Sequence, residues 1–179
     1  MSHRKKAAVL LLGILVTIVL FLFFQALFMP KYMESMKEGA LIAEYDKDSL
    51  NHEVVFIGDC EVYENFSPVT LWENYGITSF IRGSASQTIW QSYYLLKDTL
   101  RKENPEVVVF NVLSMQYDQA VSEAYNRMTL DGMEWSDVKV EAVKASMTEE
   151  ESMITYLLPF FRYHSRWSEL TKEDFRYLF

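Results

Sequence analysis

The most extended hydrophobic feature of the chain is an uninterrupted apolar run near its N-terminus. Residues 7–29 contain no charged side chain, and only Thr17 and Gln25 are polar. At about 1.5 Å per residue, a helix of this length reaches about 34 Å and crosses a hydrocarbon core of about 30 Å. A cleaved signal peptide has a shorter apolar core and a small-residue cleavage site, and a buried core helix is rarely apolar on every side. The run therefore predicts a transmembrane signal anchor.

The residues on either side of this run predict its orientation. Arg4, Lys5 and Lys6 lie in residues 1–6, which we expect to form a cytoplasmic tail under the positive-inside rule. Residues 30–51 are polar with scattered apolar side chains, a pattern typical of a juxtamembrane helix followed by a linker. The expected location is the cell membrane, with a single span and the bulk of the chain outside the cytoplasm.

Short apolar runs alternate with helical patterns after residue 52. Residues 54–57, 78–81 and 107–112 predict buried strands, because each is a short apolar stretch bounded by turn residues. Ser67-Pro68 and Gly76 are typical start and stop signals for a helix between the first two strands. Residues 84–104 predict a longer helix with apolar positions at helical spacing. This β-α-β-α-β order predicts an α/β fold with a parallel sheet.

The pattern is less regular toward the C-terminus. Residues 120–128 and 133–146 predict helices, and two capping-box sequences begin at Thr148 and Thr171. We expect residues 52–179 to form one α/β domain. Three strands are fewer than open α/β sheets usually have, which predicts that the domain is incomplete in this chain.

Composition and charge narrow the classes of function. After residue 6 the chain holds 14 Lys and Arg residues against 25 Asp and Glu residues. Because contacts to phosphates need Lys and Arg, so acidic a body predicts no nucleic-acid partner. The single cysteine excludes a disulfide framework, and His3, His52 and His164 lack the spacing of metal ligands.

The residues that follow the three predicted strands form a candidate site. Gly58-Asp59-Cys60 follows the first strand, Gly83 the second, and Asn111 lies at the end of the third. Ligands in open α/β sheets bind beyond the carboxyl ends of the strands. A nucleophile, an unhindered backbone N–H and an amide donor at such an edge predict a nucleophile with an oxyanion hole.

These blocks resemble the SGNH/GDSL-type hydrolases, in particular their membrane-anchored exported branch. That branch includes proteins similar to the teichoic-acid D-alanine transfer protein and to polysaccharide O-acetylation proteins. The resemblance rests on residues 54–117, including SPVTLWENYGITSF and WQSYYLLKDTL. It implies a three-layer αβα, flavodoxin-like SGNH domain. It also implies Asp59 and Cys60 in the nucleophile motif, and the N–H groups of Cys60 and Gly83 and the amide of Asn111 as oxyanion donors.

The sequence departs from the family pattern at two points. Cys60 stands where the family has serine, and the DxxH block that supplies the family's base is not found among the 179 residues. Asp59 and Glu61 beside Cys60 oppose ionisation of its thiol. His164 is the only conceivable base, although Arg162, Tyr163, Arg166 and Trp167 around it are also typical of a packed surface or a carboxylate-binding patch.

The resemblance implies acyl-ester hydrolysis or transfer on cell-envelope glycopolymers. This chemistry needs no metal or organic cofactor, and its expected partners are the cell membrane, a cell-wall glycopolymer and a membrane acyltransferase. Two alternatives stay open: a non-catalytic binding or scaffold protein with an SGNH-like fold, and a redox or thioester role for Cys60. Each residue also has a purely structural interpretation: a free cysteine is often a small buried hydrophobe, a glycine a turn residue, and a buried amide a hydrogen-bonding group.

Overall fold

The computed structural model describes residues 3–30, 37–48, 51–176 and 178. Within these residues the chain divides into two compact units, Tyr32–Met153 and a second unit formed by Met1–Lys31 with Ile154–Phe179. Residues 31–36, part of the expected juxtamembrane helix, lie outside the described residues.

The unit Tyr32–Met153 is built on a parallel sheet of three strands. The strands are β1 (Val54–Gly58), β2 (Ser79–Gly83) and β3 (Val107–Phe110), and their order in the sheet is β2-β1-β3. β1 is central, with Gly58 in register with Gly83 and Ile57 in register with Phe110. The sequence prediction of an α/β fold with a parallel sheet is confirmed.

Helices cover both faces of this sheet. Seven helices have some or all of their residues in this unit: α2 (Lys37–Tyr45), α3 (Cys60–Asn65), α4 (Pro68–Tyr75), α5 (Ile89–Lys102), α6 (Glu123–Leu130), α7 (Asp137–Ser146) and α8 (Met153–Leu157), which continues into the other unit. Neighbouring residues of a strand point to opposite faces. On β2, Ile81 packs with Phe56 of β1 and Val62 of α3, whereas Arg82 points toward α5, where it bonds Asp98.

The predicted starts and ends of helices can be compared directly with the structure. The Ser67 hydroxyl accepts a hydrogen bond from the N–H of Thr70, and Gly76 ends α4 in the left-handed conformation with φ of 70°. The helix expected over residues 84–104 begins only at Ile89, because Thr88 and Gln91 form a capping box there. The helix expected from Thr148 begins at Met153, and the N–H of Thr148 instead bonds Glu151 in a turn.

The second unit joins the N-terminal helix α1 (His3–Phe28) to the C-terminal segment. α1 is long and apolar enough to span a membrane. The C-terminal segment contains α9 (Phe160–Tyr163), a 3₁₀ turn (His164–Ser168) and α10 (Lys172–Arg176), which begins where the Thr171 capping sequence predicts.

Candidate functional site

The candidate site lies where the strand order of the sheet reverses. β2 lies on one side of β1 and β3 on the other, so the connections that leave β1 and β3 run in opposite directions. A crevice therefore opens between the carboxyl ends of these two strands. Ligands of open α/β sheets bind at such a switch point. Asp59 and Cys60 follow β1, and Asn111 follows β3.

A hydrogen bond joins the two sides of this crevice. The side-chain Nδ2 of Asn111 donates to Oδ1 of Asp59 at 2.9 Å, and the N–H of Leu113 donates to Oδ1 of Asn111 at 2.7 Å. The Asn111 side chain is therefore held in one orientation. Its amide nitrogen carries two hydrogens, so one N–H remains after the bond to Asp59.

Asp59 is fully buried and has a second structural role. Its Oδ1 also accepts a hydrogen bond from the N–H of Glu61 at 3.2 Å, which caps the start of α3. Its other oxygen, Oδ2, is buried and has no hydrogen-bond partner within the described part of the chain. A buried carboxylate oxygen ordinarily has a partner, so Oδ2 is an exception to the rule.

Two glycines allow the strand ends to approach each other closely. A Cβ atom at Gly58 would lie 2.4 Å from the Cβ of Asn111, and one at Gly83 would lie 2.4 Å from Cγ2 of Val62. Gly83 also lies against the backbone, because its Cβ would be 3.2 Å from the carbonyl oxygens of both Gly58 and Asp59. The residues picked from the sequence, Asp59, Cys60, Gly83 and Asn111, thus meet at one edge of the sheet.

Cys60 is the first residue of α3 and is partly exposed. Burial raises the pKa of its thiol above the ordinary value, and the carboxylates of Asp59, Glu64 and Glu61 raise it further. The resting side chain at neutral pH is therefore the thiol rather than the nucleophilic thiolate.

His52 and His164, the two histidines that follow the N-terminal helix, each have a local hydrogen-bonding partner. His52 precedes β1, at the edge of the sheet opposite to Cys60, and its Nδ1 lies 3.0 Å from Oε2 of Glu103. His164 belongs to the other unit, is exposed, and its Nδ1 lies 3.1 Å from the carbonyl oxygen of Phe161.

An open groove of about 450 Å³ begins beside Asn111. It runs between α3 and the end of β3, and much of its lining is apolar. The lining side chains include Val62, Phe66, Val109 and Leu113. Among the described residues, no group of three or more His, Cys, Asp or Glu side chains is arranged to hold a metal ion.

The sequence does not predict the buried network of hydrogen-bonded polar side chains that follows β2. Ser84 Oγ donates to Gln87, whose Nε2 donates to Ser92 at 2.9 Å. Gln91 donates to Asn126, which in turn donates to the carbonyl of Ser146 at 2.6 Å. All of these side chains are buried. In the sequence, such residues are indistinguishable from those of an exposed polar loop.

Comparison of the chain with protein-family models, curated proteins and solved structures finds no significant match. The family resemblance consequently rests on the short motifs and on their placement at the strand ends.

Proposed function

We propose that this chain is a membrane-anchored, exported SGNH-like protein that carries out acyl-ester chemistry on cell-envelope glycopolymers. The observation that carries the proposal is the hydrogen bond between Asn111 and Asp59 across the switch point. It holds a fixed amide donor beside the residue that precedes the Cys60 thiol. A fixed donor near the nucleophile supports the proposal, because an oxyanion hole needs donors held in place before the reaction.

The proposed reaction has two steps. The Cys60 thiolate attacks the carbonyl carbon of an acyl ester, the C–O bond breaks, and the departing alkoxide takes up a proton as an alcohol. Water or a glycan hydroxyl then attacks the thioester, takes the acyl group and regenerates the thiol. The N–H groups of Cys60 and Gly83 and the remaining Asn111 N–H would stabilise the negative oxygen of each tetrahedral intermediate.

The groove beside Asn111 is the proposed binding place of the acyl group. Its apolar side chains Val62, Phe66 and Leu113 suit a hydrocarbon chain. Cys60 is not itself part of the groove lining. With the acyl chain in the groove and its carbonyl at Cys60, the alcohol portion of the ester would lie on the solvent side. This orientation agrees with a polymeric acceptor that is too large to enter the groove.

The electrostatic environment limits the rate of the first step. The charged groups that act most strongly on Cys60 are the carboxylates of Asp59, Glu64 and Glu61, all of which favour the protonated thiol. A base must remove this proton before attack. We therefore expect no measurable ester turnover by this chain alone at neutral pH, and Cys60→Ser alone should not restore it.

The second candidate function is non-catalytic binding of a glycan or of a membrane acyltransferase. It is favoured by the raised pKa of Cys60, which keeps the thiol protonated. In this case the groove and the strand-end residues would hold a ligand without forming a thioester.

Chemical rescue separates the two candidates. The purified chain is assayed with an aryl acetate, with and without free imidazole as a diffusible base. The acyl-chemistry proposal predicts imidazole-dependent hydrolysis above the rate that imidazole alone gives, and Cys60→Ala should abolish this excess. The binding alternative predicts that both proteins give only the rate of imidazole alone at every imidazole concentration, and that result would overturn the proposal.

The proposed topology places α1 in the membrane with Arg4, Lys5 and Lys6 in the cytoplasm. A reporter cysteine at Ser122, in a Cys60→Ala background, should react in intact cells with a maleimide that cannot cross membranes. Labelling only after lysis would contradict an exported domain.

A further inference from the structure

The C-terminal segment carries large apolar side chains on its surface. Five side chains of the segment are between 47% and 71% exposed: Ile154, Leu157, Phe161, Trp167 and Phe175. So many exposed apolar side chains within 22 residues are unusual for a surface that faces water, and they mark a site of contact with another phase or molecule.

The same segment is attached to the last turns of α1. The Phe160 ring lies 5.6 Å from the ring of Phe21 and 5.7 Å from that of Phe28. Nη1 of Arg166 donates to the carbonyl oxygen of Phe28 at 2.6 Å, and Nη2 bonds Asp174 at 3.2 Å. Arg166 therefore donates a hydrogen bond to a carbonyl at the end of α1 and links this end of the helix to α10.

The position of these contacts along α1 places the segment near one surface of a bilayer. If the hydrocarbon core begins at Ala7, about 20 residues of helix cross it and the span ends close to Phe28. Phe21 is then about 10 Å deeper, at about 1.5 Å per residue. Amphipathic segments that lie in the interface are buried to about 5–10 Å, which matches the depth of Phe160 between these two rings.

The charge of the segment also differs from that of the α/β unit. Residues 154–179 contain four basic and three acidic residues, whereas residues 32–153 contain nine basic and 22 acidic residues. The repulsion that an acidic surface meets at anionic lipid headgroups is therefore absent from this segment. Its Trp, Tyr and Arg side chains are the types that concentrate at membrane interfaces.

We propose that residues 154–176 form a second membrane contact, lying in the headgroup region at the end of α1 with Phe161, Trp167 and Phe175 inserted among the acyl chains. The occupant of this surface is lipid. The inference rests on the proposed membrane span of α1. Its consequence is that both chain ends of the α/β unit lead to the membrane, one through α1 and the other through residues 154–176.

Spin-label accessibility tests the proposal in the full chain reconstituted in liposomes of phosphatidylcholine and phosphatidylglycerol. Single cysteines replace Phe161, Trp167 and, as a control in the α/β unit, the exposed Lys144, all in a Cys60→Ala background. Labels at Phe161→Cys and Trp167→Cys should be relaxed by oxygen, which partitions into lipid, and protected from a water-soluble nickel chelate. The Lys144→Cys label should show the opposite preference.

Two results would overturn the proposal. Labels at residues 161 and 167 that are as accessible to the nickel chelate as the control would put the segment in water. Labels that are inaccessible to both reagents would mean that protein, rather than lipid, covers this surface. A label at Val16→Cys reports on α1 separately. Lipid exposure at residue 16 with water exposure at residues 161 and 167 would leave the proposed span intact and reject only the second contact.

Discussion

Asn111 and Asp59 are 52 positions apart in the sequence, and their side chains form a direct hydrogen bond of 2.9 Å at the edge of the sheet. The bond joins the carboxyl ends of β1 and β3, and each partner also holds a backbone N–H of its own segment, Leu113 for Asn111 and Glu61 for Asp59. The candidate site is thus part of the structure that fixes the ends of β1 and β3.

Removal of the Asn111 amide should destabilise the fold as well as the site. Asn111→Ala leaves the buried Asp59 carboxylate without its side-chain donor, and a lost hydrogen bond to a charged group costs about 1.5–3 kcal/mol. Chemical denaturation of the chain in mild detergent, followed by circular dichroism, should give a loss in this range. Asn65→Ala is the control, because its side-chain bonds are exposed. Equal stability of the two variants would argue against the Asn111–Asp59 bond.

A side chain at position 83 should destabilise the fold unless Val62 is replaced by a smaller residue. A Cβ at Gly83 would lie 2.4 Å from Cγ2 of Val62, and overpacking of this kind costs about 1–3 kcal/mol. The double variant Gly83→Ala/Val62→Ala should therefore lose less stability than the sum of the two single variants, by about 0.5 kcal/mol or more in a double-mutant cycle. Additive losses would mean that the two residues do not meet as described.

Lys139 makes stability depend on pH. Burial lowers the pKa of its ammonium group to about 8, despite the opposing effects of Asp131 and Asp46; Arg127 lowers it further. Nζ donates to the carbonyl of Met133 at 2.7 Å.

The sign of this dependence follows from the two pKa values. Between about pH 8 and 10.5, the ordinary pKa of a lysine, the unfolded chain binds more protons at Lys139 than the folded chain does. The free energy of unfolding should therefore rise with pH in this window, by about 1.4 kcal/mol per pH unit relative to Lys139→Met. Lys144→Met, on the exposed side of the same helix, should show no such difference from the parent chain. A parallel pH profile for the parent and Lys139→Met would refute the prediction.

The elements that sequence could predict are those set by local signals. The three strands follow from short apolar runs, and α4 follows from Ser67-Pro68 and Gly76, because caps and turns depend on neighbouring residues alone. The sequence does not predict α3, because this helix has only six residues and its cap, Asp59, also fits a catalytic motif.

The other features that the sequence does not predict depend on interactions between distant segments. The buried ion pair between Arg82 and Asp98, with Nη2 and Oδ2 2.8 Å apart, depends on a crossover that brings α5 over β2. A lone arginine at a strand end gives no local sign of burial. The strand-end residues of the site could be selected because parallel strands share an edge, but the bond that orients Asn111 could not.

The single-turnover rate of Cys60 acylation, measured against pH, tests the central claim most directly. The matched control is Asn65→Cys in a Cys60→Ala background, an exposed thiol on the same helix. Each protein is treated with an aryl acetate, and thioester formation is followed by intact mass. At pH values where both thiols are ionised, Cys60 should react about 100-fold faster, because an oxyanion donor contributes about 10²–10³-fold. A higher thiol pKa alone would raise nucleophilicity only a few-fold. Reaction of Cys60 at or below the control rate throughout the profile would contradict an acyl-transfer site.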